Sequence, residues 1–137
     1  MINETVISVR FNECGAHGIV HHSNYNCWLE TAQFDLFHKH NMDYVTLLHE
    51  GYFFPIIKLS IDFLSPARLG DEICIRLWLK ELGRVKMGFG YELVRLPERQ
   101  LIARAASEHA FLTQDSKPAD IKRAFPELYE SLRAYLQ

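Results

Sequence analysis

The stretch FNECGAHGIVHHSNY, residues 11–25, separates a β-branched apolar run from the longest helical pattern in the chain. From Tyr25 to about His40, apolar residues recur at i, i+3, i+4 and i+7, which predicts an amphipathic helix. Ser23 or Asn24 is expected to cap its first turn with a side-chain oxygen. The stretch therefore predicts a loop that opens directly onto a long helix.

The start of this helix is the place where we expect chemistry. The first N–H groups of a helix are unpaired and carry partial positive charge, which suits them to stabilise a developing oxyanion. Glu13, His17, His21 and His22 lie beside them in the sequence. Imidazole titrates near neutral pH, so these histidines are candidates for general acid or base.

The composition indicates a globular protein in which any anionic ligand would be bound by a local cluster of Lys and Arg. The chain has 137 residues, of which 48% are hydrophobic and 23% charged, so we expect a single domain over residues 1–137. A net charge of -2 gives no reason to expect nucleic acid or a membrane surface. Three cysteines without paired spacing favour a reducing, cytoplasmic location. No signal segment or membrane-spanning segment is expected.

The remaining pattern predicts an α+β protein in which the long helix lies against a curved antiparallel sheet of about five strands. A short helix is expected at 43–49. Alternation predicts strands at 5–11, 57–63, 73–80, 85–93 and 101–113, and a terminal helix is expected at 124–136. Gly88 and Gly90 lie opposite the apolar face of their strand, which predicts a bulge or a close approach by another backbone.

Residues 10–25, followed by Trp28-Leu29-Glu30, resemble the N-terminal signature of hotdog-fold acyl-CoA thioesterases, most nearly the 4-hydroxybenzoyl-CoA thioesterase family. The stretches FPII (54–57) and IDFLSPARLGD (61–71) are similar to the second strand and following connection of that family, and of dihydroxynaphthoyl-CoA thioesterases. The resemblance covers about residues 5 to 113. It implies a hotdog fold, strands that pair across a homodimer, a homotetramer as dimer of dimers, and active sites at subunit interfaces.

The resemblance also implies hydrolysis of an acyl thioester, without cofactor or metal, in a catalytic loop that includes Gly18. The thioester carbonyl would be polarised by a backbone N–H at about His22. The catalytic aspartate of the family corresponds to Gly15, and the first acidic position to Glu13. Glu13, a loop histidine (His17 included) or a held water must therefore replace the missing carboxylate. Some hotdog thioesterases that release polyketides from carrier proteins also lack this acid and rely on a held water.

Substrate binding is expected at Tyr25, Arg68, Arg84 and Lys86. Guanidinium and ammonium groups pair with phosphate oxygens, so the three basic residues are candidates for the CoA phosphates. The resemblance supports Arg84 best, and a solvated strand face is the alternative. Cys14 as a nucleophile, or as a zinc ligand with the three histidines, has weaker support because the spacing matches no closed zinc motif.

Three functional hypotheses follow. The first is an acyl-CoA thioesterase for an aromatic or medium-length acyl group. The second is a thioesterase that takes its acyl group from a carrier protein, which predicts weak activity on free CoA esters. The third is a domain that binds an acyl thioester without hydrolysis, which predicts a ligand-dependent thermal shift and no thiol release.

Overall fold

The structure, a computed structural model, describes residues 1–137 and contains a five-stranded antiparallel sheet and a two-stranded sheet. The larger sheet consists of β1 (Asn3–Ser8), β3 (Ile56–Phe63), β4 (Glu72–Leu82), β5 (Lys86–Leu96) and β6 (Gln100–Ala110). The smaller sheet pairs β2 (Tyr52–Phe53) with β7 (Leu112–Thr113). The helices are α1 (Ser23–Lys39), α2 (Tyr44–His49), α3 (Ile121–Ala124) and α4 (Pro126–Arg133).

Strand order in the larger sheet is β1-β4-β5-β6-β3, which leaves β3 at one edge. One face of this sheet packs with α1 to form the core. The sheet contributes alternating, fully buried side chains, and α1 contributes residues at helical spacing. The core residues of β4 are Ile73, Ile75, Leu77 and Leu79, and those of α1 are Tyr25, Trp28, Leu29, Ala32, Leu36 and Phe37. The predicted α+β class and strand number are confirmed.

The start of α1 differs from the prediction. The helix begins at Ser23, and the capping position is His22, which makes no side-chain capping bond. The prediction that Ser23 or Asn24 caps the helix is therefore wrong. Instead, the amide of Asn24 donates to the carbonyls of Glu13 at 2.9 Å and His21 at 3.2 Å. Asn24 thus ties the loop to the helix rather than closing the helix end.

Two other boundaries differ from the pattern-based prediction. The strand expected at 101–113 divides into β6 and β7 around Phe111, a buried residue. The helix expected at 124–136 is replaced by α3 and α4. Phe125, with φ of -136°, ends α3, and Pro126 opens α4 because its missing N–H is not needed in a first turn.

The outer face of the sheet carries a close contact and a bulge. A Cβ at Gly90 would lie 2.6 Å from the ring of Trp78, so the close approach is by an indole side chain and not by another backbone as predicted. In β3 the register slips at Ile57, since Ile56 pairs with His109 and Lys58 with Glu108. No helix has the length and apolar character that crossing a membrane requires.

Candidate active site

The loop before α1 is a tight hairpin. The Gly15 N–H donates to the Ile19 carbonyl at 2.8 Å, and the Gly18 N–H donates to the Gly15 carbonyl at 3.1 Å. Gly18 has φ of +72°, a conformation that glycine adopts without strain. The His21 N–H donates to the Glu13 carbonyl at 2.9 Å. The hairpin thereby holds residues 13–21 against the helix start.

The connection between β3 and β4 supports this hairpin from the other side. The Val20 N–H donates to the Ala67 carbonyl at 2.9 Å, and the Leu69 N–H donates to the Gly18 carbonyl at 3.0 Å. Arg68 lies between these two contacts and forms an isolated bridge with the hairpin. The two stretches that carry the family resemblance are therefore adjacent in space, and Arg68 lies next to the candidate site.

The backbone N–H of His22 is a free donor at the start of α1. The N–H groups of Asn24 and Tyr25 bond to the carbonyls of His21 and His22, at 3.0 and 3.1 Å. The His22 N–H donates to no protein group, and the residue is exposed. Because the helix dipole adds positive potential here, this N–H is suited to bind a carbonyl oxygen that gains negative charge.

The side chain of Glu13 points inward rather than to the surface. Its Oε2 accepts from the indole N–H of Trp28 at 2.9 Å, and its Oε1 accepts from the Arg10 N–H at 2.8 Å. The Arg10 guanidinium lies 3.6 Å from the carboxylate. Only 5% of Glu13 is exposed. Both oxygens already have donors, so the geometry gives Glu13 a role in holding the loop.

His21 is paired with a hydroxyl group at the helix start. Its Nδ1 lies 2.8 Å from Oγ of Ser23 and also accepts from the Ser23 N–H at 3.3 Å. A backbone N–H can only donate, so Nδ1 carries the lone pair and Nε2 the proton in neutral His21. The centroid of the His22 ring lies 4.3 Å from that of His21, with the two rings tilted by 32°. Sequence reasoning missed Ser23 as a partner, although the His-x-Ser spacing was visible.

The position of the family aspartate is open to a side chain. Gly15 is exposed, and a Cβ there would meet only the Ile19 carbonyl, at an ordinary 3.7 Å. His17 lies exposed in the same turn. Cys14 is half-buried with Sγ 3.6 Å from the Arg10 carbonyl, and no three His, Cys, Asp or Glu side chains of the chain form a group that could hold a metal ion.

An aromatic cluster underlies the helix start. The ring of Tyr25 lies 4.8 Å from Trp28 and 4.9 Å from Phe63, and Phe63 lies 6.4 Å from the His22 ring. Burial raises the pKa of Tyr25, whose hydroxyl bonds to the Ala67 backbone. Tyr25 is therefore part of the wall behind the site, whereas Phe63 is half exposed. The neighbouring segments expose further apolar side chains, which are Phe11, Ile19, Leu64 and Leu69.

The predicted phosphate-binding residues are divided between two ends of the sheet. Arg68 lies beside the hairpin, but Arg84 and Lys86 lie at the β4–β5 turn. The eleven residues of β4 separate these ends by about 33 Å. Arg84 also forms an ion pair with Asp120 at 3.2 Å. Within one chain, the structure does not bring Arg84 and Lys86 to the helix start.

Comparisons with known proteins identify the family of this chain. The Thioesterase superfamily profile matches residues 17–102. YneP of Bacillus subtilis, provisionally named an acyl-CoA thioesterase, is 27% identical over 127 residues, 92% of this chain and 91% of YneP. The acyl-CoA thioesterase YbgC of Helicobacter pylori is 35% identical over 77 residues, 56% of each chain.

Solved structures show the same architecture. TT1821 from Thermus thermophilus superposes with a TM-score of 0.86 at 30% identity, covering 97% of this chain and 98% of that protein. A DHNA-CoA thioesterase from Staphylococcus aureus gives a TM-score of 0.89 at 23% identity, covering 97% of this chain and 91% of that protein. The expected hotdog fold is confirmed. This chain belongs to the thioesterase superfamily and is a hotdog-fold thioester hydrolase.

Proposed function

We propose that this protein hydrolyses acyl-CoA thioesters whose acyl group is aromatic or of medium length. The observation that carries the proposal is the unpartnered N–H of His22 at the start of a 17-residue helix. The carbonyl oxygen of the thioester accepts a hydrogen bond from this N–H, and this hydrogen bond strengthens as the carbonyl becomes an oxyanion. A donor of this type typically contributes about 10²–10³ in kcat.

The acyl group binds the apolar surface beside the helix start. Phe63 presents a half-exposed ring next to His22, and Ile19 and Leu69 expose apolar atoms on the two supporting loops. An aromatic ring and branched aliphatic side chains offer apolar contact to an aromatic or a medium-length acyl group. Arg68 borders the same surface and is placed to bind a phosphate of CoA.

Water is activated by His21 together with Ser23. Nδ1 of His21 accepts the proton of the Ser23 hydroxyl, and Ser23 takes a proton from the water that attacks the carbonyl carbon. When the tetrahedral intermediate collapses, the C–S bond breaks and the proton returns to the sulfur of the leaving thiol. Glu13 takes no part in this transfer because Trp28 and Arg10 occupy its oxygens.

The protein acts as a homodimer, and the expected homotetramer would be a pair of such dimers. The support is β3, an edge strand with exposed apolar residues, because an open apolar edge favours pairing with another strand. The chain is one catalytic domain. The three free cysteines favour the reducing cytoplasm, where acyl-CoA substrates are used.

A second candidate substrate is an acyl group on a carrier protein. It is favoured by Gly15, because some hotdog thioesterases that release polyketides from carrier proteins also lack the aspartate at this position. A tethered acyl group and a free CoA ester present the same thioester to His22, so only a direct comparison separates the two substrates.

The test is release of free CoA from a panel of aliphatic and aromatic acyl-CoA esters, alongside the same acyl groups on a carrier protein. Free CoA should be quantified by chromatography, because the exposed Cys27 would react with thiol reagents. Turnover of aromatic or medium-chain esters supports the proposal. Turnover of carrier-bound esters alone would favour the second candidate, and no turnover of either would leave a binding protein.

A further inference from the structure

A charged side chain, Arg95, lies at the end of the otherwise apolar inner face of β5. It follows Leu93 on that face and is opposite Ile73, and both of these residues belong to the core. The side chain of Arg95 is only 19% exposed. A guanidinium with so little contact with water is costly unless its donors are paired, so its partners show what it holds in place.

The guanidinium of Arg95 joins two segments that are far apart in the sequence. Nη1 donates to the Pro66 carbonyl at 3.0 Å and lies 3.6 Å from the Asp71 carboxylate. Nε donates to Glu98 at 2.9 Å, and Nη2 donates to Oε1 of Gln100. The first two partners belong to the connection between β3 and β4, and the last two to the turn that leads into β6. The guanidinium therefore holds the connection against this turn.

The connection that this guanidinium holds is bonded in turn to the candidate active site. The Ala67 carbonyl accepts from the Val20 N–H at 2.9 Å and from the hydroxyl of Tyr25. The Leu69 N–H donates to the Gly18 carbonyl at 3.0 Å. Gly18 and Val20 belong to the hairpin, and Tyr25 belongs to the first turn of α1. The connection is thereby placed at a set distance from the helix start.

Arg68, in the middle of this connection, has a fixed backbone and a free side chain. Its N–H donates to Oδ2 of Asp71 at 2.9 Å, and its carbonyl accepts from the Asp71 N–H at 3.1 Å. The side chain is exposed and forms no ion pair within the chain. Asp71 is the nearest carboxylate in the sequence, and the charge of Arg95 beside it reduces its attraction for Arg68. The Arg68 guanidinium is therefore available to an anionic ligand.

We propose that Arg95 is a positioning residue for substrate binding. It fixes the β3–β4 connection so that Arg68 binds a phosphate of CoA while the thioester lies at the His22 N–H. The inference rests on the proposed function, which gives this phosphate to Arg68. Arg95 touches no substrate, because its donors are committed to protein groups. A lysine cannot replace it fully, since one ammonium group lacks the planar fork that reaches both segments.

The effect of removing Arg95 should depend on Arg68. Arg95→Met keeps an apolar side chain of similar length but loses the fork. The connection is then released, and the Asp71 carboxylate becomes able to pair with Arg68. We expect the Kd for CoA to rise about tenfold, the lower end of what a charged hydrogen bond contributes, because Arg68 is exposed. Arg68→Met should cause a similar rise, because it removes the phosphate contact itself.

The test is a double-mutant cycle in which isothermal titration calorimetry measures the Kd for CoA. The proteins are the wild type, Arg68→Met, Arg95→Met and the variant with both substitutions. If Arg95 acts through Arg68, the double variant binds CoA no more weakly than Arg68→Met alone. Additive losses, an unchanged Kd in Arg95→Met, or a wild type that binds no CoA would overturn the proposal.

Arg76→Met is the matched control. Arg76 also pairs with two carboxylates, those of Glu4 and Glu92, but it lies on the outer face of the sheet. Its substitution should leave the Kd for CoA unchanged, and a loss equal to that of Arg95→Met would overturn the proposal. Circular dichroism checks that each variant is folded.

Arg95→Lys is the second variant, for the case in which Arg95→Met does not fold. Its ammonium group keeps a positive charge beside Asp71, so that carboxylate is not left without a cation. Because Arg95→Lys lacks the fork, it should also weaken CoA binding, and only when Arg68 is present. An unchanged Kd in folded Arg95→Lys and in folded Arg95→Met would contradict the positioning role.

Turnover provides a readout that a general loss of structure would not give. In Arg95→Met the KM for an acyl-CoA should rise about tenfold with little change in kcat, because the hairpin keeps its own hydrogen bonds at Gly15 and His21. The kcat/KM for the same acyl group on pantetheine, which carries no phosphate, should be unchanged. An equal loss on both substrates would overturn the proposal. Calorimetry needs no hydrolysis, so a failed cycle leaves the proposed hydrolysis intact, and absence of hydrolysis leaves the role of Arg95 testable.

Discussion

The carboxylate of Glu13 and the indole of Trp28 are joined by a buried 2.9 Å hydrogen bond that holds the hairpin of residues 13–21 against α1. Glu13→Gln keeps the shape and one acceptor, so we expect turnover to fall by less than about tenfold. Glu13→Ala leaves the indole N–H of Trp28 and the backbone N–H of Arg10 without an acceptor. This variant should lower the free energy of unfolding by about 1–3 kcal/mol. CoA release measures the turnover of Glu13→Gln, and thermal unfolding measures the stability of Glu13→Ala. A loss of several orders of magnitude in the turnover of Glu13→Gln would show that Glu13 is the base.

Gly15 offers a gain-of-function test. A side chain fits there because the nearest atom to a Cβ is the Ile19 carbonyl at 3.7 Å, and the backbone is not left-handed. Gly15→Asp would place a carboxylate at the position of the family acid. We expect turnover to rise about tenfold or more, since a positioned base contributes 10²–10⁴. Gly15→Asn is the matched control, and an equal effect of both variants would show that the carboxylate is not the cause.

A buried polar chain predicts pH-dependent stability. Gln33, Tyr91, Ser107 and His109 are joined by hydrogen bonds of 2.6, 2.7 and 2.9 Å inside the core. Burial lowers the pKa of His109 below 6.5. The unfolded chain therefore binds a proton that the folded chain does not, and stability falls as pH drops below about 6.5, by up to about 1.4 kcal/mol per pH unit.

His109→Gln should remove this part of the slope between pH 7 and 5, as measured by denaturant unfolding. His38 has the opposite sign, because its hydrogen bond with Asp43 raises its pKa, so its contribution is present at low pH and lost as pH rises through the folded value. His38→Asn is thus a control that should steepen the loss at low pH. An unchanged slope in His109→Gln would contradict the assignment.

The contact between Gly90 and Trp78 predicts a position-specific effect on stability. An added methyl at Gly90 lies 2.6 Å from the indole, so Gly90→Ala should destabilise by about 1–3 kcal/mol. The nearest atom at Gly88 is 3.5 Å away, which is ordinary contact. Gly88→Ala should therefore be close to neutral. Equal melting temperatures for the two variants would show that Trp78 moves aside freely.

Periodicity in the sequence was sufficient to predict the helices and strands that bury one face. The spacing of Trp28, Leu29 and Leu36 predicted α1, and alternation in β4 predicted a buried strand. Buried residues recur with the period of a helix in the first case and of a strand in the second. The bulge at Ile57 could not be predicted, because it arises from pairing with His109 and Glu108, which lie far away in the sequence.

The structure brings the predicted loop and the helix start together, and the catalytic roles proposed for their residues stay predictions. The position of the helix start near His22 could be predicted from the local pattern of apolar residues. Its suitability for binding an oxyanion could be predicted from the general electrostatics of helix termini. The inward position of Glu13 depends on Trp28, a tertiary partner, so the sequence left Glu13 open as a base. Arg84 lies at the opposite end of β4 from the hairpin, a separation set by the length of that strand, which the residues around Arg84 do not show.

The central claim, that the His22 N–H polarises the thioester, is tested most directly by comparing His22→Pro with His22→Ala. Proline removes the N–H, and its φ near -65° matches the φ of -57° at this position, so the helix start should still form, as circular dichroism will check. We predict that kcat falls by about 10²–10³ in His22→Pro, whereas His22→Ala, which keeps the N–H, retains most of its turnover. Full activity in folded His22→Pro, or an equal loss in both variants, would contradict the account.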